Sequence, residues 1–328
     1  MKGRRLHKSL DIVECWWLAL GVVLSTATQL RFAQLPIGPG EILLSGWILT
    51  MAIRLLLRGQ LTLGSVQRVL GLFWFGSFML LGFGSLVALH MMKWEPKQAR
   101  DLIAFALSAL LVLMMVLQEK LDLRIQRSSL IVVVISVISA ALLFVVSQTS
   151  HQLGPVQLCY GPRFTGWAKN PNQMAFLLVL VPFLLLKHLS MAVSVGGRVA
   201  LAVLVPIALL VGYATMSDAL LLAWAVSFCI LALFHLYRSQ GLVGRKRVDI
   251  LLKWVLVPAI VLVLLIGFGS NVHSKIRNAV ETMYLEGNQG SVRITLWKNG
   301  IAAISASPFV GFGPGSHSGL GQPFQGAE

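Results

Sequence analysis

Apolar runs of about 20 residues recur along the whole chain and limit its fold more than any other feature of the sequence. An α-helix of about 20 apolar residues is long enough to cross the hydrocarbon core of a bilayer. Only 12% of the 328 residues are charged, whereas a soluble domain carries about 25%. We therefore predict an all-α, polytopic membrane protein.

The apolar runs predict about nine spans. These are 12–30, 41–57, 69–92, 101–118, 129–147, 172–189, 199–214, 218–237 and 254–270. They predict a transmembrane helical domain over residues 1–270, followed by a long segment outside the membrane over residues 271–328. Only Thr215, Met216 and Ser217 separate the seventh and eighth spans, which could also be read as one broken helix.

Lysine and arginine lie at the ends of the apolar runs, where they set topology and meet anionic head groups. With the N-terminus in the cytoplasm, inner segments carry 17 of these 27 residues and outer segments carry 10. The basic cluster Arg245, Lys246 and Arg247 then lies inside only if the seventh and eighth spans both cross. The net charge of +15 thus indicates membrane lipids as partners rather than nucleic acid.

The outer segment 148–171 ends in a group of polar residues directly before an apolar run. Asn170 is a good N-cap, and Pro171 suits the first helical position, so a helix begins here. Its free N–H groups and positive dipole end, with Asn172 in the first turn and the cations Arg163 and Lys169 nearby, would suit an anion. A capped helix whose cations contact lipid head groups explains the same residues equally well.

A second motif occupies residues 290–316 in the other long outer segment. Ser291 can cap a helix that runs to about Ser305, and Arg293 shares a face with Trp297. An apolar stripe follows from Ile294, Trp297, Ile301 and Ile304. This pattern predicts an interfacial helix with a Trp anchor, on which Arg293 is either a ligand or simply exposed.

Other residues outside the spans offer few catalytic candidates. Gly311, Gly313 and Gly315 predict a tight loop, because they match neither a dinucleotide fingerprint nor a P-loop. The chain has no Asp-x-Asp, no His pair spaced four apart and no cysteine pair with ligand spacing, so we predict no metal and no cofactor. Asp218 is a candidate base or a helix cap. Further candidates, each with a solvated surface role as the alternative, are Glu281, Glu286 and His317.

The two motifs together resemble the O-antigen ligase and polysaccharide polymerase superfamily of bacterial inner-membrane glycosyltransferases. The resemblance covers essentially the whole chain. The matching residues are Arg163–Phe164–Thr165–Gly166 with Asn170–Pro171–Asn172, then Arg293-x-x-x-Trp297, and then Pro308–Phe309–Val310–Gly311–Phe312–Gly313–Pro314–Gly315.

The resemblance implies a GT-C-like fold with a large periplasmic loop and a site that faces the periplasm. It implies inverting transfer of a glycan from undecaprenyl diphosphate to an acceptor hydroxyl, without a metal or a nucleotide. The acceptor is the lipid A core for a ligase and a growing glycan for a polymerase. Arg163 and Arg293 correspond to family arginines that engage the diphosphate, with Lys169, Asn170 and Asn172 beside them and Trp297, Gly313 and Gly315 in support.

The chain departs from the family pattern at two places. Ser217 is followed by Asp218 where relatives often have arginine, and the sequence given stops at Glu328 before the expected His-Asn pair and further spans. We therefore expect a C-terminally truncated member whose usual base lies beyond residue 328. O-antigen ligase is the leading prediction; a polymerase, a lipid or glycan transporter, and an inactive fragment or scaffold are the alternatives.

Overall fold

The computed structural model describes residues 2–32, 37–58, 64–90, 96–118, 121–239 and 288–309. These residues are mostly helical, which confirms the all-α fold class. The helices are α1 (Lys2–Ser25), α2 (Pro39–Arg58), α3 (Ser65–His90), α4 (Pro96–Val116), α5 (Leu121–Ser147), α6 (Pro171–Val179), α7 (Val181–Met191), α8 (Val195–Ala214), α9 (Asp218–Ser239) and α10 (Asn288–Ala306), with a 3₁₀ turn at Thr28–Leu30. Four two-residue strands lie between α5 and α6.

Five helical segments are long and apolar enough to cross a membrane, so the protein is membrane-embedded. They are Pro39–Leu57, Ser65–His90, Leu121–Ser147, Pro171–Met191 and Val195–Ala214. Each corresponds to one of the nine predicted spans. The fourth and eighth predicted spans fall on shorter apolar helices, Asp101–Val116 and Asp218–Phe234. The first falls on α1 and the 3₁₀ turn, and 254–270 lies outside the described residues, so nine crossings stay a prediction.

The predicted span 172–189 is two helices rather than one. Leu180 lies between α6 and α7 with φ −88° and ψ −16°. The cause is Pro182, which has no N–H to continue the helical ladder and whose ring crowds the carbonyl four residues before it. Backbone groups at the break are still satisfied, because the Leu180 N–H bonds the Leu178 carbonyl and Trp224 Nε1 donates to Val179 O at 3.0 Å.

The chain divides into two compact units, residues 1–47 with 122–271 and residues 48–121 with 272–328. In the first unit, the core is built by α5, α6, α7, α8 and α9. Its fully buried side chains include Val133, Val137, Phe164, Met174, Leu178, Leu185, Val211 and Leu220. Within the second unit, α3 packs on α4 through Trp74 and Phe105, whose ring centroids are 5.0 Å apart.

The chain turns sharply between α8 and α9. Trp224 of α9 lies against Gly212 of α8, although 12 positions of one continuous helix would separate them by about 18 Å. The reversal occurs at Thr215–Met216–Ser217, where Met216 has a positive φ of 49°. The structure therefore has two helices here, α8 and α9, and their two crossings stay a prediction.

A buried ionic cluster joins α1 to α5. Arg124 donates from Nη1 to Glu14 at 2.8 Å and from Nη2 to Asp11 at 2.6 Å. Buried charges are tolerated when they are paired in this way, and removing one partner leaves the others uncompensated. The cluster ties the beginning of α5 to the first helix within the first unit.

Candidate functional site

The segment between α5 and α6 folds into two consecutive hairpins. β1 (Gln152–Leu153) pairs with β2 (Val156–Gln157), and β3 (Cys159–Tyr160) pairs with β4 (Arg163–Phe164). Both turns have the sequence Gly-Pro, and both glycines have a positive φ near 57°. Glycine at the first central position suits a type II′ hairpin turn, and proline supplies the negative φ of the second. Sequence analysis missed the hairpins, although the repeated Gly-Pro pairs were a usable signal.

Gln29 in the 3₁₀ turn holds the two hairpins against the end of α1. Its Nε2 lies within hydrogen-bond distance of three carbonyls, 2.7 Å from Gln157 O, 3.2 Å from Gly166 O and 2.7 Å from Ala168 O. Its Oε1 accepts from the Gln157 N–H at 2.7 Å. One side chain therefore bonds the backbone of the first hairpin and of the segment that follows the second, so these backbone groups are satisfied beside the helices.

α6 begins as the sequence predicts. The Asn170 side chain accepts from the Asn172 N–H at 2.8 Å, and Pro171 occupies the first helical position. The expectation of free first-turn amides is wrong, however, because the Gln173 and Met174 N–H groups both bond the Asn170 carbonyl. What the helix end offers an anion is its dipole, and donors must come from side chains.

Arg163 lies half-buried at this helix end and is held on two sides. Its Nε donates to the Thr215 carbonyl at 3.0 Å, and its Nη2 donates to Asn172 Oδ1 at 2.9 Å. No acidic side chain among the described residues forms an ion pair with it. Nη1 and the second hydrogen of Nη2 have no partner within that part of the chain, so the charge and part of the fork are free for a ligand.

Lys169 is exposed one residue before the cap of α6. Its backbone N–H donates to Thr28 Oγ1 at 2.9 Å, and Thr28 in turn donates to Gln173 Oε1 at 2.8 Å. Its ammonium group, like the Arg163 guanidinium, has no acidic partner in the described ranges. The first motif thus places two unpaired cations around one helix N-terminus.

Asp218 is the candidate base that the structure describes. It is exposed and is the first residue of α9, three positions after Thr215, whose carbonyl anchors Arg163. The other three candidates, Glu281, Glu286 and His317, lie outside the described residues, and so do Gly313 and Gly315. No group of three His, Cys, Asp or Glu side chains that could hold a metal ion occurs among the described residues.

The second motif forms a helix, but its start differs from the prediction. α10 begins at Asn288, so Ser291 lies inside the first turn rather than at the cap. Arg293 lies on α10, and Trp297 one turn later is 76% exposed, with Ile301 and Ile304 also exposed. An exposed apolar stripe agrees with the predicted interfacial helix. Arg163 belongs to the first unit and Arg293 to the second, so their joint action stays a prediction.

No protein-family model matches the chain, and neither a curated protein nor a solved structure matches it significantly. The family assignment and the activity therefore stay predictions, which depend on the motifs and on the geometry around Arg163.

Proposed function

We propose that the protein transfers a glycan from undecaprenyl diphosphate to an acceptor hydroxyl at the periplasmic face of the bacterial inner membrane. The observation that carries this proposal is the Arg163 guanidinium, which is fixed by two hydrogen bonds at the N-terminus of α6 and has no described acidic partner. The two hydrogen bonds orient Arg163 but leave its charge uncompensated at the positive end of a helix dipole, and a lipid diphosphate would supply the missing negative charge.

The proposed reaction needs stabilisation of a departing anion. The acceptor oxygen attacks the anomeric carbon from the face opposite the diphosphate, a new glycosidic bond forms, and the bond from that carbon to the phosphate oxygen breaks. Undecaprenyl diphosphate leaves with the electron pair of the broken bond. Arg163, Lys169 and the α6 dipole would bind this charge, and Arg293 would add a second guanidinium.

The acceptor hydroxyl must lose a proton during the attack, which requires a base. The sequence predicts four acids or bases as candidates. Asp218 is close in the chain to Thr215, which anchors Arg163, and Glu281, Glu286 and His317 lie outside the described residues. Each candidate can be replaced with a neutral residue of similar size, as Asp218→Asn, Glu281→Gln, Glu286→Gln or His317→Gln. The base is the residue whose variant loses kcat but keeps its affinity for the donor.

The ligase reaction can be tested by complementation. The complete reading frame that encodes the chain is expressed in a strain that lacks its own O-antigen ligase, and lipopolysaccharide is separated on a gel. We expect an O-antigen ladder with the wild type and none with Arg163→Ala. Arg198→Ala is the matched control, because Arg198 also donates from Nε to a backbone carbonyl, that of Ala192 at 2.8 Å. An O-antigen ladder with Arg163→Ala would contradict the proposed diphosphate site. Absence of the ladder with the wild type would contradict the proposed ligase activity.

A transporter of an anionic lipid is the second candidate, and one observation favours it. Discontinuous helices are typical of the binding sites of secondary transporters, and α6 and α7 are separated by a break at Leu180. Proteoliposomes with donor and acceptor confined to the outer leaflet separate the two functions. A glycosyltransferase forms product there without moving lipid, whereas a transporter moves the donor between leaflets without forming product.

The proposed orientation has its own test. In a variant with serine at all three cysteine positions, single cysteines at the exposed positions His151 and Arg198 are offered a membrane-impermeant maleimide in spheroplasts. Labelling of the His151→Cys chain but not of the Arg198→Cys chain is expected if the hairpins face the periplasm. The opposite pattern would invert the proposed topology.

A further inference from the structure

A polar cleft of about 260 Å³ opens between the 3₁₀ turn and the two hairpins. It is lined by Gln29, Pro155, Gln157, Tyr160, Thr165 and Lys169. Sites for drug-sized ligands usually range from about 300 to 1,000 Å³ and are mostly apolar. This cleft is smaller and richer in amide, hydroxyl and ammonium groups, which suits a single hydrated ring better than a lipid chain.

Tyr160 gives the cleft an aromatic wall next to the cation site. It is 65% exposed. Tyr160 and Arg163 are direct partners across the β3–β4 hairpin, and directly opposed residues project to the same face of a sheet. A tyrosine ring combines an apolar face with a polar hydroxyl, so it can cover the C–H face of a sugar and bond its hydroxyls.

The backbone of the cleft is held by hydrogen bonds, whereas polar ends of its side chains are available to a ligand. Gln29 binds both the N–H and the carbonyl of Gln157, while the Gln157 side-chain amide is exposed and has no hydrogen-bond partner among the described residues. Thr165 Oγ1 donates to the Gln157 carbonyl at 2.8 Å, which fixes the floor of the cleft. Preorganised backbone with free amide and ammonium ends is what a hydroxyl-rich ligand requires.

We propose that this cleft binds the sugar ring attached to the diphosphate of the lipid-linked donor, with Tyr160 stacked on the ring and Gln157 bonded to its hydroxyls. The inference rests on the proposed function, because Lys169 lines the cleft and also belongs to the diphosphate site. No acidic side chain from the described part of the chain lines the cleft, which favours a neutral or anionic ligand over a basic one. The cleft thereby selects glycosylated diphosphate over the bare diphosphate that the reaction releases.

The test compares two probes on the purified full chain in lipid nanodiscs: undecaprenyl diphosphate, and the same lipid carrying one N-acetylhexosamine. We expect the sugar-bearing probe to bind about tenfold more tightly to the wild type, a difference of about 1.4 kcal/mol. Tyr160→Ala and Gln157→Ala each bring the two Kd values together and leave the bare probe unchanged. Tyr160→Phe keeps the aromatic wall and most of the difference. Gln148→Ala, an exposed glutamine outside the cleft, is the matched control.

The outcomes separate this inference from the proposed function. Equal Kd values for the two probes in the wild type, or a sugar preference that survives both cleft variants, would overturn the proposed sugar site. If Arg163→Ala still weakened binding of the bare probe, the diphosphate site would stand. Binding of both probes that is unaffected by Arg163→Ala would overturn the diphosphate site and, with it, the donor that the cleft is proposed to select.

Discussion

Arg163 Nη2 donates a hydrogen bond to Asn172 Oδ1 at 2.9 Å, while the Asn172 N–H is itself capped by Asn170. A cation from a hairpin is thus attached to the first turn of a helix through a neutral amide rather than a carboxylate. An amide orients the guanidinium without neutralising it. The arrangement positions Arg163 and leaves its charge available.

Arg163→Lys is expected to keep the charge but lose the geometry. An ammonium group cannot bond Thr215 O and Asn172 Oδ1 while presenting a planar fork to phosphate. We expect Arg163→Ala to lower the rate of glycan transfer by about 10²-fold, as for removal of one donor from a preorganised anion site, and Arg163→Lys to recover only a small part. Transfer kinetics with the purified protein measure both, with Arg198→Ala as the unaffected control.

Asn170 separates helix capping from anion binding. Asn170→Ala removes the cap and should cost about 1 kcal/mol of stability, measured by unfolding in detergent. Asn170→Asp keeps a good cap but places a carboxylate beside Lys169, so stability is expected to be retained while the Kd for undecaprenyl diphosphate rises severalfold. If Asn170→Asp bound the diphosphate as well as the wild type, the anion site would not lie at this helix end.

The start of α6 could be predicted because its determinants, Asn170 and Pro171, are adjacent in the chain. The break at Leu180 was also readable, since Pro182 cannot continue a helix. The anchors of Arg163 were not, because Thr215 is 52 positions away and only the reversal between α8 and α9 brings its carbonyl close. Long-range contacts of this kind follow from packing, which the apolar pattern of a span does not encode.

The role of Gln29 was invisible in the sequence for the same reason, since its partners lie 128 to 139 positions away. Ser291 illustrates the opposite failure. Its local suitability as a cap was real, but α10 begins three residues earlier at Asn288, and helix ends are the least certain part of any prediction from sequence.

Gln29→Ala is expected to release the hairpins. The amide of Gln29 can donate two hydrogen bonds from Nε2 and accepts one at Oε1 from the Gln157 N–H, so a loss of about 1 kcal/mol for each predicts destabilisation of about 3 kcal/mol. Hydrogen exchange localises the effect. The Gln157 amide should lose protection, while the Leu158 amide, which bonds His151 O at 2.8 Å, reports whether the hairpin itself survives. Unchanged protection at Gln157 would show that Gln29 does not hold this segment.

Gly166→Ala and Gly161→Ala form a matched pair. Both glycines have φ near +57°, a conformation that costs a residue with a Cβ about 1–2 kcal/mol. A Cβ at Gly161 meets open space, whereas one at Gly166 lies 3.3 Å from Phe164 Cζ and 3.4 Å from Met174 Sδ. Unfolding should therefore show a larger loss for Gly166→Ala, and the difference between the two variants measures the packing at α6.

Gly212→Ala tests whether the α8–α9 reversal supports the site. The new Cβ would overlap the Trp224 ring, and forcing a methyl group into a packed contact costs about 1–3 kcal/mol. Because Thr215 follows three residues later, the carbonyl that holds Arg163 should shift, raising the Kd for undecaprenyl diphosphate as well as lowering the melting temperature. Gly76→Ala in α3 is the control, since its Cβ meets nothing within 4 Å and alanine favours a helix over glycine by about 1 kcal/mol.

In a Trp224→Leu background the destabilisation caused by Gly212→Ala should be smaller, because the effects of two residues in contact are not additive. An equal penalty in both backgrounds would show that the strain does not come from the contact between Gly212 and Trp224, and that this contact does not position the Thr215 carbonyl that holds Arg163.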